Sequence, residues 1–204
     1  MAEQKSRTDR IIGILSSLMV VVFAAILVVR LTPWGWPEQA MAAEGMCTGK
    51  DKINVTLELK DGPVGLELWC DVAPGHAERV ASLAAQGFYN GVVFHRVIEG
   101  FMAQTGDPTG TGMGGSDLPD LKAEFNDKPF ERGTLGMARS ADPNSANSQF
   151  FITFGDADFL NGQYTVFGKV VSGMEHVDAI KKGGGANGMV TDPDAIVSMT
   201  VAGE

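Results

Sequence analysis

Residues 94–107, FHRVIEGFMAQTGD, place a charged side chain inside a segment that otherwise has the apolar character of a β-strand. An unpaired guanidinium such as that of Arg96 is costly to bury, but at the wall of a pocket it offers a fixed fork of hydrogen-bond donors. Phe101 and Met102 supply apolar, adaptable surface a few residues further on. The stretch therefore predicts a cationic donor beside an apolar pocket.

The rest of the chain after residue 52 predicts mainly β structure. Ile53–Leu59 and Val64–Leu68 alternate apolar and polar residues on either side of Lys60-Asp61-Gly62, which indicates an antiparallel hairpin. Because many short strands with few helices favour a closed sheet without exposed edges, we expect an antiparallel sandwich or barrel. The further strands are predicted at 92–97, 101–104, 134–138, 150–153, 166–171 and 195–201, and the helices at 77–86 and 174–181.

Several motifs, taken in order, resemble the cyclophilin family of peptidyl-prolyl cis-trans isomerases, and in particular its bacterial members. Residues 144–152, NSANSQFFI, would alone be more typical of a core, but they join FHRVIEGFMAQTGD, GTLGMA at 133–138 and FLNGQYTVFGKV at 159–170. The likeness covers Ile53 to Val201. It implies a mainly β fold, a closed eight-stranded antiparallel β-barrel capped by two α-helices.

The resemblance also implies the site residues, with Arg96 as the catalytic arginine and with no cofactor and no metal. The pocket that holds the proline ring is matched by Phe101, Met102, Phe151 and Leu160. Polar neighbours and positions along the adjoining groove are matched by Gln104, Gln149, Ala138 and Arg139, the last standing where a residue binds the substrate backbone.

Two substrate-binding positions depart from the family pattern. Phe159 stands where many members have tryptophan, and Tyr164 where many have histidine. An indole N–H can donate a hydrogen bond to a ligand carbonyl at a pocket rim, and a phenyl ring cannot. We therefore expect only weak binding of cyclosporin, the family's inhibitor.

The chemistry that this site implies is non-covalent. An X–Pro bond isomerises slowly because amide resonance imposes a barrier of about 18–20 kcal/mol. A guanidinium aimed at the prolyl nitrogen interacts better with the twisted than with the planar amide, which is the condition for catalysis. The predicted function is isomerisation of X–Pro bonds during the folding of exported proteins. The alternative is a non-catalytic proline-peptide-binding or chaperone module, which would need mainly the apolar pocket.

Residues 11–29 run without a charge for 19 residues. A helix of that length spans roughly the 30 Å hydrocarbon core of a bilayer. Lys5, Arg7 and Arg10 precede it, so the positive-inside rule places the N-terminus in the cytoplasm. A cleaved signal peptide, cut near Ala40-Met41-Ala42 to leave a secreted or periplasmic protein, and a buried core helix are the alternatives. The preferred interpretation is a single-pass inner-membrane protein with a cytoplasmic segment at 1–10, an anchor at 11–29, a linker at 30–48 and a periplasmic isomerase domain at 49–204.

The net charge of −9 narrows the range of partners. Of the 16 basic and 25 acidic residues, four basic and two acidic ones precede residue 31, so the remainder of the chain is strongly acidic. An acidic body without a basic stripe is poorly suited to phosphate backbones or anionic lipid. Nucleic-acid binding is therefore excluded, and the expected partners are proline-containing polypeptides and, through the N-terminal helix, the membrane.

The two cysteines, Cys47 and Cys70, fit no zinc-site spacing. An exported body would meet an oxidising compartment, where disulfides form. The predicted hairpin places Cys70 opposite the residues just before Ile53, within reach of Cys47. The sequence thus leaves open a disulfide or two unrelated thiols.

Gly110–Gly115 matches the GxGxxG pattern of dinucleotide-binding loops. Such a site needs the N-terminus of a helix directly after the loop, and Ser116–Asp120 cannot begin a long helix. A surface loop is therefore favoured over the nucleotide-binding loop of an enzyme.

His76 and His176 have no partner at the spacing of a catalytic triad, and structural roles are expected for them.

Overall fold

The computed structural model describes residues 45–185 and 187–202. All of them belong to the second of two units of the chain, Glu38–Glu204. Within these described residues, no helix is both long enough and apolar enough to cross a membrane. The anchor predicted at 11–29 lies outside the described residues.

The predicted hairpin is confirmed. Strand β1 (Lys52–Leu59) pairs antiparallel with β2 (Gly62–Trp69), with Leu59 opposite Gly62 at the turn. Alternate residues of both strands are buried, as period-two patterning requires. Gly62 has φ +139°, and a Cβ there would lie 2.6 Å from Nε2 of His176, so both conformation and space select glycine.

Helix α1 (Pro74–Ala85) begins three residues before the predicted start at Ala77. Its first amides, of Gly75 and His76, each donate to the carboxylate of Glu124 at 3.1 Å. The buried ring of His76 contacts the same carboxylate, with Nδ1 2.6 Å from Oε2, which gives this histidine a structural role. Burial opposes ionisation of Glu124, but these hydrogen bonds hold its pKa below the ordinary value.

The remaining elements are β3 (Arg96–Ile98), β4 (Met102–Thr105), β5 (Thr134–Met137), β6 (Phe150–Thr153), β7 (Val166–Ser172), α2 (Met174–Asp178) and β8 (Ser198–Val201). The eight strands form one curled antiparallel sheet, in the order β3-β4-β6-β5-β7-β2-β1-β8. A short 3₁₀ turn, Asp158–Leu160, precedes β7. Helix α2 ends at Asp178, three residues before its predicted end.

The eight antiparallel strands and two helices are confirmed, but a closed strand ladder is not. Among the described residues β3 and β8 share no ladder. The segments beside them, 91–94 and 194–196, are joined by one isolated bridge, Val93 with Ala195, and by a few hydrogen bonds such as that from the amide of Phe94 to the carbonyl of Asp194 at 2.9 Å. The reason is that a second glycine-rich loop, formed by residues 183–185 and 187–188, occupies the free edge of β3. Val97 donates its amide to the carbonyl of Gly188 at 2.8 Å and accepts from the amide of Gly183 at 2.9 Å.

Neighbouring residues of β6 divide the apolar interior into two clusters. Phe150 packs into the large cluster, which includes the buried residues of β1, β2 and α1. Phe151, on the opposite face of the strand, belongs to a smaller cluster. The members of this smaller cluster are Met102, Phe130, Phe151, Ala157, Leu160 and Val166.

A disulfide joins Cys47 to Cys70, with the two Cα atoms 5.3 Å apart, so the bridge that the sequence left open is present. The hairpin register explains it, since the amide of Cys70 donates to the carbonyl of Asp51 at 2.8 Å. The segment around Cys47 has a second attachment to the rest of the domain, through helix α1. The carboxylate of Glu78 on α1 accepts the amides of Gly45, Met46 and Cys47 at 2.8–2.9 Å.

Candidate functional site

The smaller cluster forms an apolar pocket at one face of the sheet. Phe151 is 5% exposed, stacks on Phe130 at 5.6 Å between centroids, and meets the edge of Tyr164 at 6.0 Å. Met102, on neighbouring β4, and Leu160, on the 3₁₀ turn, are also buried. The structure thus brings together the side chains that the sequence assigned to one pocket.

The rim of this pocket carries an exposed aromatic pair. Phe159 is 65% exposed, and its ring centroid lies 5.3 Å from that of the half-buried Phe101. Leu160, the next residue of the same turn, points into the cluster. The turn therefore supplies one residue to the pocket wall and one to its rim.

Arg96 lies at the border of this pocket, paired with Gln104 across β3 and β4. Its Nε donates to the carbonyl of Asn187 at 2.9 Å, and its Nη1 to Oε1 of Gln104 at 3.1 Å. Nη1 also lies 4.0 Å from the sulfur of Met102 in the pocket. In the part of the chain that the structure describes, Nη2 has no hydrogen-bond partner. The guanidinium plane is therefore fixed from two sides, with one nitrogen left to donate to a ligand.

Two glutamines continue from Arg96 as a hydrogen-bonded chain. Nε2 of Gln104 donates to Oε1 of Gln149 at 2.9 Å. Nε2 of Gln149 donates in turn to the carbonyls of Gly112 and Gly114, at 3.1 and 2.8 Å. Because arginine only donates and a carbonyl only accepts, the two ends of the chain determine the orientation of both amides.

A groove of about 500 Å³ adjoins this chain. The glycine loop 112–116 lines one side and Ala138–Ser140 another, with Gln104 and Gln149 also contributing. Ala138 donates its amide to the carbonyl of Gln149 at 2.9 Å, which joins the two sides. The groove is polar and open, unlike the apolar pocket, and suits an extended peptide backbone.

The side chain of Arg139 is engaged within its own chain. Its Nε and Nη2 donate to the carbonyl of Gln163 at 3.2 and 2.9 Å, and its Nη1 donates to the carbonyl of Ser140 at 2.9 Å. The guanidinium carbon lies 4.5 Å from the ring centroid of Tyr164, a cation–π contact. Arg139 and Tyr164 thus form one wall between the apolar pocket and the groove.

His95 is buried beneath the glycine loop, next to Arg96 in the chain. A Cβ on Gly112 would lie 3.3 Å from Cδ2 of its ring, and neither ring nitrogen has a hydrogen-bond partner among the described residues. Burial lowers the pKa of His95 below its ordinary value, against the opposing charge of Asp107. His95 packs as a neutral ring under the site.

The glycine motif is a loop that no helix follows, as the sequence predicted. Its amides do not face solvent as a phosphate cradle would. Thr111, Gly112 and Gly114 donate theirs to the buried carboxylate of Asp107. The donors that a dinucleotide would need are therefore already used.

Three residues of this site were not found by sequence reasoning. Phe130 and Asn187 lie in irregular segments, so no periodic pattern marks them. Asp107 stands in the quoted stretch 94–107, and its sequence does carry a signal. An aspartate followed by threonines and glycines is typical of a carboxylate that bonds to the next turn of its own backbone.

Comparison with known proteins agrees with this geometry. The family model described as "Cyclophilin type peptidyl-prolyl cis-trans isomerase/CLD" matches residues 54–201. A probable peptidyl-prolyl cis-trans isomerase of Brucella suis is 59% identical over 160 residues, which cover 72% of this chain and 82% of that protein. The human peptidyl-prolyl cis-trans isomerase-like 3 is 44% identical over 136 residues, covering 64% and 83%.

Solved structures show the same fold. The crystal structure of a cyclophilin-type peptidyl-prolyl cis-trans isomerase from Cryptosporidium parvum superimposes with a TM-score of 0.68 at 31% identity, covering 75% of this chain and 99% of that one. A second crystal structure of that protein, in the presence of the dipeptide Ala-Pro, gives a TM-score of 0.67 at 31% identity, covering 74% and 99%.

Proposed function

The chain belongs to the cyclophilin family and is a peptidyl-prolyl cis-trans isomerase, and from this we propose that Arg96 is its catalytic residue. The observation that carries the assignment is the guanidinium held by Asn187 and Gln104 at the edge of the apolar cluster, with Nη2 free among the described residues. A proline ring seated between Phe101, Met102, Phe151 and Leu160 would lie beside this donor.

Catalysis follows from differential binding. When the X–Pro amide twists, its nitrogen becomes pyramidal and gains a lone pair, which the planar amide lacks. Arg96 donates to that lone pair and so binds the twisted state more tightly than either planar isomer. The fixed guanidinium needs no reorganisation at that moment, because two protein acceptors already hold its plane. No bond to the enzyme is formed.

The substrate is a proline-containing polypeptide. The Cryptosporidium parvum relative crystallised in the presence of Ala-Pro supports this choice. We assign the residues before the proline to the groove, where Gln104, Gln149 and the backbone of Ala138 meet. Arg139 and Tyr164 close the wall beside the ring, and Phe159 contributes to the rim.

Arg96→Ala in the full-length chain tests the catalytic assignment. We expect kcat/KM to fall at least tenfold, equivalent to about 1.4 kcal/mol of transition-state stabilisation, in a peptide isomerisation assay. Arg96→Lys should not restore it, because an ammonium lacks the planar fork. Lys122→Ala, which removes an exposed cation elsewhere, is the control.

Two outcomes separate the enzyme from a binding module. If peptide affinity persists while turnover is lost, Arg96 acts on the transition state. Turnover near that of the unmodified protein in a folded Arg96→Ala variant would mean that the residue is not catalytic and that the groove serves binding alone.

We propose that the isomerase domain works outside the cytoplasm on exported proteins. The Cys47–Cys70 bridge supports this, because structural disulfides persist in oxidising compartments. The uncharged residues 11–29 support a single-pass inner-membrane anchor with a cytoplasmic N-terminus and a periplasmic domain. The mass of the native protein's N-terminus distinguishes an intact anchor from a cleaved signal. Free Cys47 and Cys70 in protein trapped directly from cells would contradict export.

A further inference from the structure

Asp107 is fully buried and accepts six hydrogen bonds from the loop that follows it. Oδ1 accepts from the amide and hydroxyl of Thr109, both at 2.8 Å. Oδ2 accepts from the amides of Gly112 and Gly114 at 2.6 and 3.1 Å, and from the amide and hydroxyl of Thr111 at 3.1 and 3.2 Å. Burial opposes the ionised form, but these donors together hold the pKa of Asp107 well below its ordinary value. The carboxylate is thus a fixed anion around which the loop is wrapped.

The glycines make this close wrapping possible. A Cβ on Gly114 would lie 2.3 Å from Oδ1 of Asp107, so any other residue would push the loop from the carboxylate. Gly112 has φ +82°, a conformation that favours glycine. The position of the loop therefore depends on both the carboxylate and the missing side chains.

The two glycines whose amides bind Asp107 also accept from Gln149 through their carbonyls. Gln149 accepts from Gln104, and Gln104 accepts from Arg96. The chain of hydrogen bonds from the buried carboxylate to the guanidinium is unbroken. Each hydrogen bond between Arg96 and the loop carbonyls can form only with its present donor and acceptor. If the loop moved, Gln149 would lose its two acceptors, and the amide of Gln104 would then no longer be held in place.

We propose that Asp107 is a positioning residue for the isomerase reaction: by holding Gly112 and Gly114, it fixes the two glutamine amides that orient the guanidinium of Arg96. This inference rests on the proposed catalytic role of Arg96. Asp107 itself touches no substrate. It acts through the loop and the glutamines.

Asp107→Asn in the full-length chain is the first test. The new NH₂ group would face amide N–H groups of the loop, donor against donor, and the negative charge would be lost. We expect kcat to fall about fivefold or more, with a smaller change in KM. Asp117→Asn, which removes an exposed carboxylate from the same region, is the matched control and should keep full activity.

Gly114→Ala tests the same link without changing charge. The added methyl group would lie 2.3 Å from Oδ1 of Asp107, so it should push the loop away from the carboxylate and lower kcat as Asp107→Asn does. If Asp107→Asn folds poorly, Gly114→Ala still tests the link. The NMR signals of the guanidinium NH₂ groups of Arg96, one of which donates to Gln104, should move in both variants and stay in place in Asp117→Asn. A purely structural role would lower the melting temperature without moving these signals.

A double-mutant cycle separates failure of this inference from failure of the proposed function. If Asp107 acts through Arg96, adding Asp107→Asn to Arg96→Ala should change kcat less than twofold. If instead the two substitutions lower kcat by independent factors that multiply in the double variant, the positioning role is wrong and Arg96 is still catalytic. Full activity of Arg96→Ala alone would instead overturn the proposed function.

Discussion

Removing the Cys47–Cys70 disulfide should substantially lower the free energy of unfolding of the isomerase domain without abolishing its isomerase activity. The two residues are separated by 23 positions. In the chain-entropy model, opening a loop of that length restores unfolded-state entropy worth about 3 kcal/mol at 25 °C. For a domain of roughly 150 residues, this corresponds to a melting temperature lower by about 6–12 °C.

The protein should stay folded after reduction because the N-terminal turn has a second attachment. Glu78 still accepts three amides from that turn, and the β1–β2 ladder does not pass through the bridge. Isomerase activity at 25 °C should remain within about twofold, since Cys70 packs in the large cluster and the apolar pocket is the smaller one.

The assay is thermal unfolding of the full-length chain with and without reductant, alongside the Cys47→Ser, Cys70→Ser double variant. Reductant should lower the melting temperature of the natural chain to that of the double variant and should leave the variant unchanged. Equal melting temperatures for the oxidised chain and the variant would refute the entropic argument. Alkylation of both thiols in unreduced, unfolded native protein would refute the bridge itself.

Two further predictions concern Phe159 and His95. Phe159→Trp should strengthen cyclosporin binding by up to about tenfold, since one indole hydrogen bond at an exposed rim is worth about 0.5–1.5 kcal/mol. Peptide turnover should stay within a few-fold of that of the natural chain. If titration calorimetry shows no gain in cyclosporin affinity, the hydrogen-bond explanation is wrong. Burial lowers the pKa of His95 below its unfolded value of 6.5, so the unfolded chain takes up this proton first as the pH falls. The free energy of unfolding should therefore decline as the pH falls through about 6.5, above the range of the carboxylates. His95→Gln should flatten that decline, and an unchanged slope in urea titrations would show that His95 is not its source.

The parts of the fold that the sequence predicted best are those set by local pattern. The alternation in Ile53–Leu59 and Val64–Leu68 is sufficient to predict the hairpin, although the structure shortens the turn by pairing Gly62 with Leu59. The start of α1 lies three residues before the predicted one, because Gly75 is a weak helix former in isolation. The amides of Gly75 and His76 meet the carboxylate of Glu124, almost fifty residues away, and no local pattern reveals that contact.

The site was predicted through motifs rather than through geometry. Motif resemblance indicated Arg96 and Gln104, which pair across β3 and β4 in the structure. It gave no indication of Asn187 or Phe130, because each comes from an irregular segment that only the tertiary fold brings to the pocket. The glycine motif is a loop without a following helix, as the sequence predicts. Its inward contacts to Asp107 were not predicted, although the threonines and glycines that follow this aspartate are a signal for them.

The missing ladder between β3 and β8 and the fixed guanidinium have a common origin. In a fully closed barrel, the free edge of β3 would pair with β8 along its length. Instead, the glycine-rich loop takes that edge through Gly183 and Gly188, on either side of Val97. The same loop thereby brings the carbonyl of Asn187 to 2.9 Å from Nε of Arg96. A regular closing ladder would give β3 its backbone partners but would exclude this loop, and Arg96 would lose one of the two acceptors that hold its plane. The departure from an ideal barrel is therefore what orients the side chain that we assign to catalysis.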